Sequence, residues 1–123
     1  MPNIRVVWSQ GSLVASLRDT ATAQTLLAAL PIESRASTWG DEVYFRVPFS
    51  ARPEPDATAV VEKGSVCFWL DGDSIALLFG PTPVSKAGEC RLISPANIVG
   101  MIDGNPDVLR SVANGDTIRI ESI

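Results

Sequence analysis

The sequence predicts a mainly β fold, a closed antiparallel barrel of eight short strands capped by two short helices. Three observations carry that expectation. Apolar residues alternate with period two along most of the chain, the alternating runs are joined by Gly- and Asp-containing turns, and only two short stretches have helical character. Strands joined by tight turns favour antiparallel hairpins over βαβ units, and a small barrel is one way such a sheet disposes of its edges. The length of 123 residues suits one domain spanning residues 1–123 with one sizeable core.

Each element follows from local pattern. Ile4, Val6 and Trp8 alternate with Asn3, Arg5 and Val7; Ser9-Gln10-Gly11 turns the chain; Leu13, Ala15 and Leu17 then alternate with Ser12, Val14 and Ser16, which is a β-hairpin. Asp19 or Thr20 caps an Ala-rich helix that includes Leu26, Leu27 and Leu30 and that Pro31 stops. Residues 32–38 alternate weakly, Gly40-Asp41 turns, and Val43, Phe45 and Val47 alternate with Glu42, Tyr44 and Arg46 as a second hairpin. Three prolines between Pro48 and Pro55 make a stiff, exposed loop.

Ala57 to Val61 reads as a short strand. Gly64-Ser65 leads into Val66, Phe68 and Leu70, and Asp71-Gly72-Asp73 returns the chain through Ile75, Leu77 and Phe79. Here Cys67, Trp69, Ala76 and Leu78 make the opposite face apolar too, so this third hairpin is expected to be central and covered on both sides. Gly80 to Pro95 reads as loop, Asn97 to Ile102 as a strand, Asn105-Pro106-Asp107 as the start of a short helix through Val112, and Asn114-Gly115 as a turn into a closing strand with Ile118 and Ile120.

Composition narrows the chemistry. There is no histidine, which excludes Ser-His-Asp and Cys-His catalysis. The two cysteines, Cys67 and Cys90, form neither a Cys-x-x-Cys pair nor a four-ligand zinc spacing, so neither redox nor soft-ligand metal chemistry is expected; Cys67 reads as a small core hydrophobe and Cys90 as a loop residue. A net charge of -4 with scattered Lys and Arg argues against nucleic acid as a partner. The start Met1-Pro2-Asn3-Ile4-Arg5 runs directly into a strand pattern, without the apolar region of a signal peptide, and no apolar run reaches membrane-spanning length, so the expected setting is cytoplasmic, with no membrane partner. Gly80-Pro81-Thr82 lacks the lysine and spacing of a phosphate-binding loop, and no cofactor is implied.

The sequence Trp39-Gly40-Asp41-Glu42-Val43-Tyr44-Phe45, the Gly64-to-Trp69 segment, Gly72, Phe79-Gly80-Pro81-Thr82-Pro83, Ile98-Val99-Gly100 and Gly115-Asp116 together resemble the prokaryotic cyclophilin-like family of small uncharacterised proteins. The resemblance covers nearly the whole chain. It implies the cyclophilin-type eight-stranded barrel with two helices, and at most a peptidyl-prolyl isomerase-like activity. Phe45-Arg46-Val47-Pro48 resembles the cyclophilin segment whose arginine stabilises a twisted amide, whereas the glutamine- and glycine-rich segment of true cyclophilins is missing and no proline follows Trp69. Such an isomerase needs neither metal nor histidine, since it only lowers a rotational barrier of about 18–20 kcal/mol.

The candidate site therefore consists of Arg46 and Glu42 as catalytic groups, with Tyr44, Phe45, Trp69, Phe79, Pro81 and Thr82 as ligand-binding residues and no metal. Each has a plainer reading: Glu42 as a solvated strand acid, the aromatic residues as core, Pro81-Thr82-Pro83 as a stiffened turn, and Arg46 as an exposed strand residue. Asp41, Asp71 and Asp73 read as turn formers. The expected function is binding of a peptide or small molecule in an aromatic surface groove; the alternative is a non-catalytic structural or interaction module, such as a homodimer. A carboxylate-pair hydrolase lacks a second dependable strand acid.

Overall fold

The computed structural model describes residues 2–123, and Met1, where the amino-terminal reading begins, lies outside the described residues. The fold is mainly β. Its strands are β1 (Asn3–Trp8), β2 (Gly11–Leu17), β3 (Ile32–Arg35), β4 (Ser37–Thr38), β5 (Glu42–Arg46), β6 (Thr58–Val61), β7 (Ser65–Trp69), β8 (Ser74–Leu78), β9 (Cys90–Asp103) and β10 (Thr117–Ser122). One α-helix, α1 (Ala21–Ala29), and a 3-10 helix at Pro106–Ser111 fall at the two expected helical stretches, and a further 3-10 turn spans Leu70–Gly72. Thr20 is the cap of α1: its hydroxyl accepts the Ala23 N–H at 3.2 Å.

All strand pairs are antiparallel, and the hydrogen-bonded path runs β3-β10-β1-β2-β9-β7-β8-β5-β4, with β6 attached to β9. This corrects the expected closed, eight-stranded barrel: the sheet has ten strands and its ladder is open. The reason lies at Ala36. Its N–H donates to the Asp116 carbonyl at 2.8 Å and its own carbonyl accepts the Gly115 N–H at 2.7 Å, so the weakly alternating stretch 32–38 is two strands with different partners. β3 pairs with β10, and β4 with β5, so the two ends of the path are joined by the chain rather than by a ladder.

The central hairpin behaves as its two apolar faces require. Val66, Phe68, Ile75 and Leu77 enter the main core with residues of β1, β2, α1 and β10, while Cys67, Ala76 and Leu78 enter a second cluster with Val61, Cys90, Leu92 and Ala96. The cover of that second face is β6 and the first residues of β9. Residues 90–95, expected as loop, are therefore strand, and Cys90 is buried rather than a loop residue. Cys90 and Leu92 alternate with Arg91 and Ile93, and burying the former pair over Cys67 and Leu78 outweighs the strand-breaking tendency of Ser94-Pro95.

A buried polar network ties the proline-rich loop and α1 to β9. Asn97 is fully buried; its amide group donates to Thr22 Oγ1 at 3.0 Å and to the Arg52 carbonyl at 2.9 Å, and its carbonyl accepts the Glu54 N–H at 2.9 Å. Thr22 in turn donates to Glu54 Oε2 at 2.6 Å. Every polar atom of the Asn97 side chain is thus satisfied, and truncation strands three partners. Asn97→Ala is expected to cost about 2–4 kcal/mol, read as a lower urea midpoint at unchanged m-value; an unaltered midpoint would show that solvent replaces these bonds without loss.

Candidate functional site: a carboxyl in an aromatic cavity

The site begins with a tight turn. Trp39 donates its N–H to the Glu42 carbonyl at 3.0 Å, and the Asp41 N–H and carbonyl bond to the Pro81 carbonyl and the Phe79 N–H, each at 2.9 Å. Gly40, at φ 59°, permits this approach, since a Cβ there would stand 2.9 Å from both the Pro81 carbonyl oxygen and the Thr82 Cα. The turn brings the Trp39 side chain to the same side of the sheet as Glu42 and Tyr44.

On that side lies a cavity of about 270 Å³ lined by Trp39, Glu42, Tyr44, Trp69, Leu92 and Ile93. β5 contributes Glu42, opposite Leu78, and Tyr44, opposite Ala76. β7 contributes Trp69, whose indole N–H donates to Ser94 Oγ at 2.7 Å and whose ring meets Tyr44 edge-on, with centroids 5.9 Å apart and planes at 76°. The indole lies over the Leu70–Gly72 turn so closely that a Cβ on Gly72 would fall 2.1 Å from a ring atom. The Trp69 ring is therefore fixed by a hydrogen bond, an aromatic edge and a bare glycine.

Glu42 is the chemically unusual member. It is only 4% exposed, and its Oε1 is buried without a hydrogen-bond partner. Burial pushes its carboxyl up to about 7, with no cation to offset the desolvation. The adjacent Asp41 shows the opposite solution: it faces out and pairs with Arg110 at 3.2 Å, whose guanidinium also lies 5.2 Å from the centre of the Phe79 ring. Cys67, opposite Ala76 in the neighbouring strand, is a thiol pushed up first by burial and then by Glu42.

The predicted site residues divide into groups. Glu42, Tyr44 and Trp69 come together at the cavity. Phe45 points into the main core at 1% exposure, on the other face of β5, and Phe79 belongs to the same core beneath Arg110, so neither lines the cavity. Arg46 shares the face of Glu42 but sits opposite Ser74, four residues along the strand and so roughly 13 Å away. It borders a separate depression formed by Pro31, Ile32, Glu33, Val47 and Pro48.

Pro81 is exposed and Thr82 is buried. Thr82 donates its hydroxyl to the Arg91 carbonyl; Ser85 Oγ accepts the N–H groups of Thr82 and Arg91 at 2.9 and 3.1 Å and is left to donate to Thr82 Oγ1 at 3.2 Å. Thr82 thus clamps the beginning of β9 against the turn, which positions Leu92 and Ile93 as the cavity's far wall.

Sequence reasoning missed Trp39, Leu92 and Ile93 as lining residues. The available signals were Trp39 within its four-residue turn and the alternation of Cys90 and Leu92 with Arg91 and Ile93. Among the described residues no three His, Cys, Asp or Glu side chains gather to hold a metal ion, and no helix is long and apolar enough to cross a membrane.

With this geometry in place the comparisons with known proteins decide the family. A family model described as cyclophilin-like matches residues 2–121. The chain belongs to the cyclophilin-like family. A hypothetical protein from Archaeoglobus fulgidus, solved in solution, is 31% identical with a TM-score of 0.84, over 99% of this chain and 95% of that one. McbB, solved in complex with tryptophan, is 16% identical with a TM-score of 0.67, over 96% of this cyclophilin-like chain and 44% of its own, and shares the fold. No curated protein matches the chain.

The raised Glu42 carboxyl has a measurable consequence. A carboxylic acid that binds its proton more tightly in the folded than in the unfolded state contributes stability that is lost as pH rises from the unfolded value, about 4.5, through the folded value, about 7. Glu89, which the Arg91 hydrogen bond holds low, titrates below this window. Urea denaturation is expected to show stability falling by on the order of 3 kcal/mol between pH 5 and 8, with the slope largely removed in Glu42→Gln. Equal slopes in the two proteins would mean that the carboxyl is solvated in solution.

Proposed function

We propose that this protein binds a small molecule in the cavity walled by Trp39, Tyr44 and Trp69, with Glu42 as its polar anchor. The observation that carries the reading is Glu42 Oε1, a buried carboxyl oxygen without a partner at the wall of an otherwise apolar space. A buried polar atom left unpaired costs about 1–3 kcal/mol, more when charged, and a ligand group that bonds to it recovers that cost on binding. Mostly apolar walls with one or a few convergent polar groups are the usual composition of a small-molecule site.

A small molecule is favoured over a peptide because the lining is compact and Arg46 lies outside it. An isomerase would need Arg46 and an aromatic receptor for the proline ring at one place, and the depression beside Arg46 is lined by no aromatic side chain. The alternative of a purely structural module leaves the unpartnered carboxyl without a role.

Thermal-shift and NMR titration with small aromatic fragments test the reading. Binding is expected to raise the melting temperature and to move the indole N–H resonances of Trp39 and Trp69. Trp69→Ala is expected to weaken affinity about tenfold, through lost aromatic contact and lost apolar cover. On short X-Pro peptides the protein is expected to give no acceleration over an inert control. Acceleration abolished by Arg46→Ala, with no fragment binding at the tryptophans, would replace this reading with the isomerase.

A further inference from the structure

The composition of the cavity specifies a ligand charge as well as a site. We infer that it takes an organic ammonium ion, a protonated amine with an apolar body, whose N–H groups or positive charge meet Glu42 while the body lies against Trp39, Tyr44 and Trp69. The inference rests on the small-molecule reading above and sharpens it to one chemical class.

Three features point the same way. The single charged group among the lining residues is an acid, and no lysine or arginine lines the cavity, so an anion would find repulsion and no counter-charge. Three of the six lining side chains are Trp39, Tyr44 and Trp69, whose electron-rich ring faces attract cations, tryptophan most strongly. The Tyr44 and Trp69 planes stand 76° apart, so the two rings form adjoining walls rather than a stack, and a compact ion can touch both. A neutral apolar ligand would fill the space while leaving Glu42 Oε1 unpaired; an ammonium ion satisfies it.

Binding must also displace a proton when the pH lies below the Glu42 titration. The groups beside that carboxyl are the Tyr44 phenol on its own strand, and the Cys67 thiol of β7, itself close enough to Cys90 of β9 to feel it; none of them supplies positive charge. Arg110 is engaged by Asp41 and Arg91 by Glu89. The incoming cation is therefore the counter-ion that ionises Glu42, and affinity for it rises with pH until the carboxyl is ionised without help.

The volume of about 270 Å³ leaves room for a one-ring amine. The probes are accordingly benzylammonium, benzyl alcohol and benzoate, titrated by NMR against the full chain at pH 5, 6, 7 and 8, with Trp39 and Trp69 indole signals as the readout. Benzylammonium is expected to bind at least about tenfold more tightly than benzyl alcohol at pH 8, to lose most of that advantage at pH 5, and to bind Glu42→Gln no better than the alcohol does.

Equal affinity of the wild-type protein for benzylammonium and benzyl alcohol across the pH range overturns the ammonium assignment and leaves the small-molecule site standing. Tighter binding of benzoate overturns it likewise. Failure of all three probes to shift either indole overturns both. The wild-type pH series needs no variant, so a poorly folded Glu42→Gln does not spare the inference.

Discussion

The β7–β8 hairpin has two apolar faces, and the rest of the molecule is arranged around the need to cover both. Val66, Phe68, Ile75 and Leu77 demand a core on one side, which β1, β2, α1 and β10 supply. Cys67, Ala76 and Leu78 demand one on the other. That second cover is made by β6 and by the first residues of β9, a thin layer held down by the Thr82–Ser85–Arg91 bonds. It stops short of Glu42 and Tyr44. The cavity is the part of the second face that the cover leaves open.

Within that opening the neighbours Asp41 and Glu42 take opposite fates. Asp41, still in the turn, pairs with Arg110 at the surface, while Glu42, the first residue of β5, is carried inward on the face of Tyr44. A carboxyl in that position gives up hydration without gaining an ion pair, which is a stability cost that packing elsewhere must offset. The cost falls beside three aromatic side chains, one of which, Trp69, is held by its hydrogen bond to Ser94. Local consistency is thus broken at one side chain, the place where a folded chain departs from the rule that buried charge is paired.

Much of the architecture was legible in the chain. The hairpin through Ser9-Gln10, the caps of α1, the two-faced central hairpin and the 3-10 segment after Asn105 all follow from short-range pattern, and all appear. What failed depended on partners distant in sequence. The split at Ala36 requires Gly115 and Asp116, and the strand character of residues 90–95 requires the apolar surface of Cys67 and Leu78. Neither is encoded within a window of a few residues, so local pattern alone reads 32–38 as one strand and 90–95 as loop.

The candidate site divides along the same line. Alternation by itself placed Glu42, Tyr44 and Arg46 on one face and Val43 and Phe45 on the other, because the period of a strand is fixed by backbone geometry. Sequence by itself also settled that no histidine takes part and that the family motifs belong together. Only the tertiary structure decided that Arg46 borders a different depression from Glu42, that Trp39, Leu92 and Ile93 complete the wall, and that Thr82 spends its hydroxyl on the backbone. Direction of a side chain is a local property, whereas burial and company are set by whatever segments fold against it.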